Sequence, residues 1–382
     1  MAFLGTDNYD VVIIGGGASG MAAAIVYRGR KHKEKLLIIE ANDACGKKLL
    51  ATGNGRCNIS NLSADGYQEI KGFFAGLGVL FRVEHGGRAY PMSGQAASVR
   101  DAMVCALKRQ QAEIRLNTRV KRVEKCADEN GGFLLFLEDD TQIHTEQLLI
   151  ATGGKAGPQY GCLGDGYAFA RSLGHSVSSI RPALVPLTYT DEERKRLAGL
   201  TGVRIKSRAE LLSGGRRVAA SDGELQFTDY GLSGIMIFDL STMMPKSIIE
   251  GKPRTEIVLD LAPGETEETL ERLITDNEGF WLEGVVGKKL SALLVREGGG
   301  MAERVAGLAK SFTVNVGGTK GWKEAQTTHG GVPASEIDEK TGESLIVPGL
   351  FFAGEVLEPV YICGGYNLNH AWATGIRAGE NI

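Results

Sequence analysis

Four short apolar runs, each ending at a glycine or an acid, punctuate the chain: Tyr9–Ile14 before Gly15, Leu36–Ile39 before Glu40, Leu148–Thr152 before Gly153 and Leu350–Ala353 before Gly354. Runs of this length bounded by turn residues read as buried strands. After Gly20 the alanine-rich MAAAIVYRGR continues as a helix. A second helix is expected over about Ser98–Ala112, then strands at Ile114–Leu116 and Thr118–Val123. GGFLLFLEDDTQIHTEQLLIATGG reads as a β-meander closing on Leu148–Thr152. From Pro186 the character changes: short β-like runs alternate with glycine turns to about residue 262, and residues 263–312 then take up helical periodicity with glycine breaks. One stretch follows neither period. Residues 46–60, GKKLLATGNGRCNIS, are expected to be a long loop, and such loops in compact domains are often functional.

The first strand leads directly into Gly15-x-Gly17-x-x-Gly20 and a helix. In that setting Gly15 permits the tight turn, Gly17 lets backbone approach a pyrophosphate, and Gly20 lets helix pack on strand. The helix N-terminus offers free N–H groups and a favourable dipole to the phosphates. Glu40, about twenty residues beyond the glycines, is placed to accept the hydroxyls of an adenosine ribose. FAD and NAD share this fingerprint. The long polar loop after Glu40, the crossover meander and the Ala-Thr-Gly turn favour FAD and a two-dinucleotide-type α/β Rossmann fold. At the far end, Gly364-Gly365-Tyr366-Asn367-Leu368 opens another helix, whose N-terminus can face the electron-rich pyrimidine edge of a reduced flavin.

With 382 residues and 43% hydrophobic content the chain can bury a large core. A formal net charge of −3 supplies no global basic field, so nucleic acid is not expected as a partner. The local basic run Arg28–Lys35 reads as a solvated helix end. Cys45, Cys57, Cys105, Cys126, Cys162 and Cys363 show no CxxC or zinc spacing, which fits a reducing cytoplasm and gives no reason to expect a metal. No run of about 18 apolar residues is present and the N-terminus lacks a signal-peptide pattern, so neither membrane insertion nor export is expected. Glycine, 53 residues, is the compositional outlier.

Taken together, GGGASGMAAA, GKKLLATGNGRCNISN, PALVPL, GLSG, AQTTHGGV, FFAGEVLE and GGYNLNHAWATG resemble the bacterial NAD(P)/FAD-dependent oxidoreductase family of aminoacetone-oxidase-like flavoproteins, which includes bile-acid 3-dehydro-4,6-reductase-like members. The motifs run from residue 9 to 379. The resemblance implies a discontinuous FAD domain, residues 1–185 and 313–382, with an inserted β-barrel-like domain at 186–262 and an inserted helical domain at 263–312. It implies that Gly15, Gly17, Ala18, Ser19 and Gly20 cradle the pyrophosphate while Glu40 and Ala41 lie at the ribose. Lys47 and Lys48 would neutralise phosphate or close over the adenosine half, and Thr52, Gly53, Asn54, Gly55 and Arg56 would run toward the flavin. Val120 would give adenine backbone hydrogen bonds. Thr152, Gly153, Gly354, Glu355 and Gly365, Tyr366, Asn367 and Leu368 would complete the flavin end. The family pattern often reads VLDVDGICGGYN where this chain has VLEPVYICGGYN, so contacts near Glu358 and Pro359 depart from the usual.

A second dinucleotide fingerprint is missing: Gly317–Gly321 has the wrong spacing, so NAD(P)H is expected only as a transient electron donor. Cys45 and Cys57 lie too far apart for a redox pair. His329 and His370 lie in segments expected near the flavin, and His85 and Tyr90 in the loop region before the first long helix, but none is assigned as acid or base, because a lone histidine is more often structural. Gly231-Leu-Ser233-Gly234 is one residue short of a nucleophile elbow. The reading is an FAD-dependent oxidoreductase that passes hydride from flavin N5 to a small organic substrate of C=C, carbonyl or amine type, under a cap made by the middle segment. A flavin-binding regulatory or scaffold protein, and a flavin-dependent tRNA-modifying protein, remain as alternatives. Substrate, donor, oligomeric state and any extension beyond GIRAGENI are not legible.

Overall fold

A computed structural model describes residues 7–30, 34–127, 131–244, 254–277 and 281–382. The basic run at Arg28–Lys35 therefore lies partly outside the described residues. The chain forms two compact units, Met1–Arg181 with Thr327–Ile382, and Pro182–Gln326.

The first unit is built on β1 (Asp7–Ile14), α1 (Ala18–Arg30) and β2 (Leu36–Ile39). All four residues of β2 and the last four of β1 are buried, as expected of strands covered on both faces. The sheet runs in the order Glu113–Arg115, β2, β1, Gln142–Ile150, Phe133–Leu137, Val120–Lys125. Strands Glu113–Arg115, β2, β1 and Gln142–Ile150 are parallel, and Leu350–Phe352 joins in parallel with the last three residues of Gln142–Ile150. The meander pairs antiparallel with the earlier part of that same strand. Gln142–Ile150 thus belongs to both arms, and its end is where the turns after β1 and after Leu350–Phe352 meet. The expected strands and the Ala96–Arg109 helix are present, with ends displaced by a few residues.

Residues 46–60 differ from expectation. Lys47–Ala51 is a short helix (α2), Thr52–Gly55 a 3₁₀ turn, and Ser60–Asn61 pairs with Arg88–Pro91 in a three-stranded sheet with Phe81–Val83. Five residues are too few to display a helical period. What stabilises α2 is tertiary: Leu49 is buried, and the Gly46 N–H donates to Gly16 O at 2.9 Å.

In the second unit six antiparallel strands close a barrel in the order Leu187–Tyr189, Gly231–Ser233, Arg216–Phe227, Arg204–Ser213, Thr255–Asp260, Phe312–Thr319. Helices Glu267–Asp276, Lys288–Gly298 and Ala302–Lys310 lie between the fifth and sixth strands, and Leu270, Leu290, Leu294 and Val305 share one apolar core with Leu259 and Phe312. This departs from two separate inserts. Strand Phe312–Thr319, expected in the returning FAD segment, closes the barrel because an open edge would leave a row of backbone groups unpaired. Among the described residues no helix is long and apolar enough to cross a membrane.

Candidate functional site

At the end of β1 the chain turns at Gly15, φ +109°, where a Cβ would lie 2.4 Å from Ala151 O. Gly20 seats α1 on that turn, since a Cβ there would lie 2.0 Å from Gly15 O. Gly17 is different: a Cβ would meet nothing within 4 Å. Its open flank adjoins the first N–H groups of α1, those of Ala18, Ser19 and Gly20, which a helix leaves without intrahelical acceptors. That is the geometry an anion needs.

Glu40, 7% exposed, accepts from Gly16 N at 2.9 Å through Oε2, and from Asn42 N and Nδ2 at 2.8 and 2.7 Å through Oε1. A carboxylate offers about four acceptor positions, so one remains on Oε2. Ala41 follows it at the turn. The Thr118 N–H donates to Glu40 O at 3.0 Å, which brings the start of the Val120 strand to the same turn. Val120 itself is buried.

Both lysines of α2 are ion-paired. Lys47 pairs with Asp43 at 2.7 Å on the outer side of α2. Lys48 reaches Glu355 Oε2 at 2.6 Å. Burial lowers the Lys48 ammonium, but Glu355 outweighs it and holds the group above its ordinary value. The other Glu355 oxygen accepts from Thr328 N at 2.9 Å. Lys48 is thus a cross-link between α2 and the turn after Leu350–Phe352.

Beyond α2, Gly53, Asn54 and Gly55 take φ of +56°, +55° and +79°. The Thr52 hydroxyl donates to Leu49 O at 2.6 Å, and Arg56 pairs with Glu84 while its guanidinium lies 4.1 Å over the Tyr90 ring. Neither Arg56 nor Tyr90 is an unengaged group. Burial pushes the Cys45 and Cys57 thiols up to about 12, which leaves them protonated and poorly nucleophilic.

Thr152 and Gly153 follow Gln142–Ile150, with Gly153 at φ +72° and open space beside it. Gly354, φ +82°, would put a Cβ 2.4 Å from Ser19 Oγ, and the Ser19 hydroxyl donates to Ala353 O at 3.2 Å. The C-terminal helix, Tyr366–Asn381, starts at Gly365, φ +101°, where a Cβ would lie 2.4 Å from Ser60 O. Residues more than 300 positions apart are thereby joined. Ser60 Oγ donates to Asn369 Oδ1 at 2.6 Å, Trp372 Nε1 to Ile59 O at 3.0 Å, and Tyr366 Oη lies 2.9 Å from Ser63 Oγ. Leu368 packs on the core of the unit. Asn367 clasps Tyr361, accepting from its N–H at 3.0 Å and donating to its C=O at 2.8 Å.

Several contributors escaped the sequence reading. Asn58 presents a buried Oδ1 without a partner, 2.8 Å from where a Gly365 Cβ would stand. Gly375 and Gly379 allow the C-terminal helix onto α1, since a Cβ at either would lie 2.3 Å from Ser19 O or Ala23 O. Their signal was present: small residues four apart on both helices. His370 is half-buried, its Nε2 is buried with no partner, and desolvation, then Arg377, pushes its imidazole down to about 4. His85 is exposed on a short turn, and His329 ends the strand Thr327–His329.

Two helix N-termini, the buried Glu40 carboxylate and a loop held between them converge on one side of the parallel sheet. The open flank at Gly17 and the orphaned Asn58 Oδ1 leave room and a hydrogen-bond acceptor for an extended ligand. These features fit FAD, and they define a flavin-dependent oxidoreductase of Rossmann type. The chain belongs to the HI0933-like Rossmann family, whose domain model matches residues 9–70 and 62–381. It is 35% identical to the 3-dehydro-bile acid delta(4,6)-reductase of Clostridium scindens, over 96% of this chain and 97% of that protein. It is 27% identical to the ribosomal RNA dihydrouridine synthase of Haemophilus influenzae, over 97% of this chain and 98% of that protein. Among solved structures, the 3-ketosteroid delta1-dehydrogenase of Sterolibacterium denitrificans shares the fold, with a TM-score of 0.54 and 14% identity over 98% of this chain and 99% of that one.

Proposed function

We propose that this protein uses FAD, reduced transiently by NADH or NADPH, to reduce a C=C bond conjugated with a carbonyl in a small organic molecule. The observation that carries this reading is the near full-length similarity to the 3-dehydro-bile acid delta(4,6)-reductase. The dihydrouridine synthases point the same way chemically, because the double bond lost when uridine becomes dihydrouridine is also conjugated with a carbonyl. An RNA substrate is the second reading. The net charge of −3 favours a small molecule.

FAD, when bound, supplies hydride chemistry at its N5. The chain's part is binding and electrostatics. The N–H groups from Gly17 to Gly20 receive the pyrophosphate, the spare Glu40 acceptor position takes a ribose hydroxyl, and the backbone at Val120 meets adenine. Thr52, Gly53, Asn54 and Gly55 carry the loop along the cofactor, with Thr152, Gly153 and Gly354 lining its path. The N-terminus of Tyr366–Asn381 holds negative charge at the pyrimidine edge, with Asn58 beside it. No dedicated nicotinamide fold is required of this arrangement.

The test is anaerobic. Holoprotein is mixed with NADH or NADPH, and the reduced form is then offered conjugated enones, a 4,6-dien-3-one steroid and ribosomal RNA. Bleaching by a nicotinamide and return of colour with an enone or dienone is the expected result. A flavin that stays oxidised with both donors removes the donor assignment, and recovery with RNA alone replaces the small-molecule reading with the second one.

A further inference from the structure

The loop Glu355–Gly365 separates the last sheet strand from the C-terminal helix, and the backbone of one of its residues is clasped by a side chain of that helix. Asn367 binds both the N–H and the C=O of Tyr361, so this residue is held at both backbone polar groups by one side chain. The Tyr361 ring is tilted 45° against the His370 imidazole at 5.4 Å, with Oη 3.5 Å from Nδ1, and the residue keeps 38% of its surface exposed. The far nitrogen, His370 Nε2, is buried without a partner.

An orphaned acceptor is tolerated more readily than an orphaned N–H. This places the imidazole proton on Nδ1, directed at the phenol oxygen. The Tyr361 hydroxyl hydrogen is then free to face outward from the loop, and a phenolate formed there would keep a donor from His370. Burial of the imidazole keeps it neutral through the ordinary range, so it serves as a fixed dipole and not as a proton reservoir.

We propose that Tyr361 is the general acid of the reduction, with His370 and Asn367 as its positioning residues. This rests on the reading of the site as a reductase of conjugated C=C bonds. The β-carbon of the alkene accepts hydride from the reduced flavin, and the α-carbon accepts the proton from Tyr361 Oη. The alkene π bond, the hydride-bearing N5–H bond of the reduced flavin and the Tyr361 O–H bond break, two C–H bonds form, the alkene is reduced and the flavin oxidised, and the phenolate regains a proton from solvent.

The experiment uses FAD-loaded wild type and Tyr361→Phe, prereduced and mixed anaerobically with α-substituted cyclohexenones in D2O. Flavin reoxidation and the configuration of deuterium at the α-carbon are both read. The variant is expected to retain FAD, to reoxidise about 100-fold more slowly, a typical general-acid contribution, and to scramble the α-carbon where wild type gives one epimer. A variant that matches wild type in rate and epimer overturns the assignment while the reductase reading stands. A slow variant that still yields one epimer also overturns it, because the proton then comes from another fixed donor. Wild type that reduces no conjugated alkene removes the reductase reading, and the acid role falls with it.

Discussion

Two histidines of the first unit make opposite bargains with the hydrogen-bond rules. His175, with a fully buried side chain, binds Glu336 Oε2 through Nδ1 at 2.8 Å and Ser344 Oγ through Nε2 at 2.7 Å, and packs edge-on to Phe352. The order Ser, His, Glu imitates a hydrolase triad. Ser344 Oγ, however, already accepts from Ile346 N at 3.0 Å and Val347 N at 2.8 Å, which fills its lone pairs and turns its proton toward Nε2. The serine is buried and the N–H groups that could have formed an oxyanion hole are spent on it. Every group is satisfied, so the cluster is a clasp between residues 334–347 and the end of the Asp165–Ser172 helix. His370 is the converse, with one nitrogen against an exposed phenol and the other unsatisfied. Triad geometry alone does not identify chemistry; the leftover hydrogen-bonding capacity does.

The largest effect should come from breaking the clasp. His175→Ala removes two buried hydrogen bonds and leaves a cavity beside Phe352, for a loss of about 3 kcal/mol of unfolding free energy. Urea denaturation of the holoprotein measures it, with the rate of flavin reoxidation by an enone unchanged. A loss below the error of the measurement would show that Glu336 and Ser344 repack onto each other.

His370→Phe should do the reverse. It removes a buried polar atom that has no partner, so stability is unchanged or slightly higher, while enone-dependent reoxidation falls about tenfold, equivalent to roughly 1.4 kcal/mol. Burial raises the Tyr361 phenol, Asp65 raises it further, and Arg377 lowers it. Removing the Nδ1–H donor destabilises phenolate further, so the alkaline fall in the pH–rate profile should move upward. A profile that stays in place, or a protein destabilised as much as His175→Ala, would make His370 another clasp.

The contrast also shows what the sequence could and could not convey. The strands at Tyr9–Ile14, Leu36–Ile39 and Leu350–Ala353 were legible because burial on both faces writes an uninterrupted apolar run, and the Gly15, Gly17 and Gly20 spacing is set by backbone needs local to one turn. The partner of Lys48, Glu355, and the close neighbour of Asn58, Gly365, lie about 300 residues away. No local pattern encodes such a pairing, so the Lys48–Glu355 cross-link was not legible in the sequence. Tyr361 went unread for the same reason: its role depends on Asn367 and His370, and a tyrosine between Val360 and Ile362 carries no period or motif. The barrel's last strand was misassigned because Phe312–Thr319 has the same apolar alternation whichever sheet it joins.

The smallest effect separates the two sites by pH. Burial alone would raise the Glu336 carboxyl, but the Ser176 hydroxyl and N–H and the His175 ring donate to it and hold it below its ordinary value. A carboxyl lowered in the folded state stabilises the protein fully above the unfolded value, about 4.3, and that contribution is lost as pH falls through the folded value. Glu336→Gln lacks the ionised form at every pH. It should therefore be less stable than wild type at neutral pH, with the gap closing as both are taken below about pH 4. Urea midpoints at neutral and acid pH read this directly. A gap that stays constant would mean that the amide replaces the carboxylate in packing alone, and that the clasp owes its strength to shape and the neutral His175–Ser344 bond. At the Tyr361–His370 pair the sign is opposite: burial holds the folded imidazole down to about 4, below its unfolded value of about 6.5, so wild type should lose stability relative to His370→Phe as pH falls through that interval.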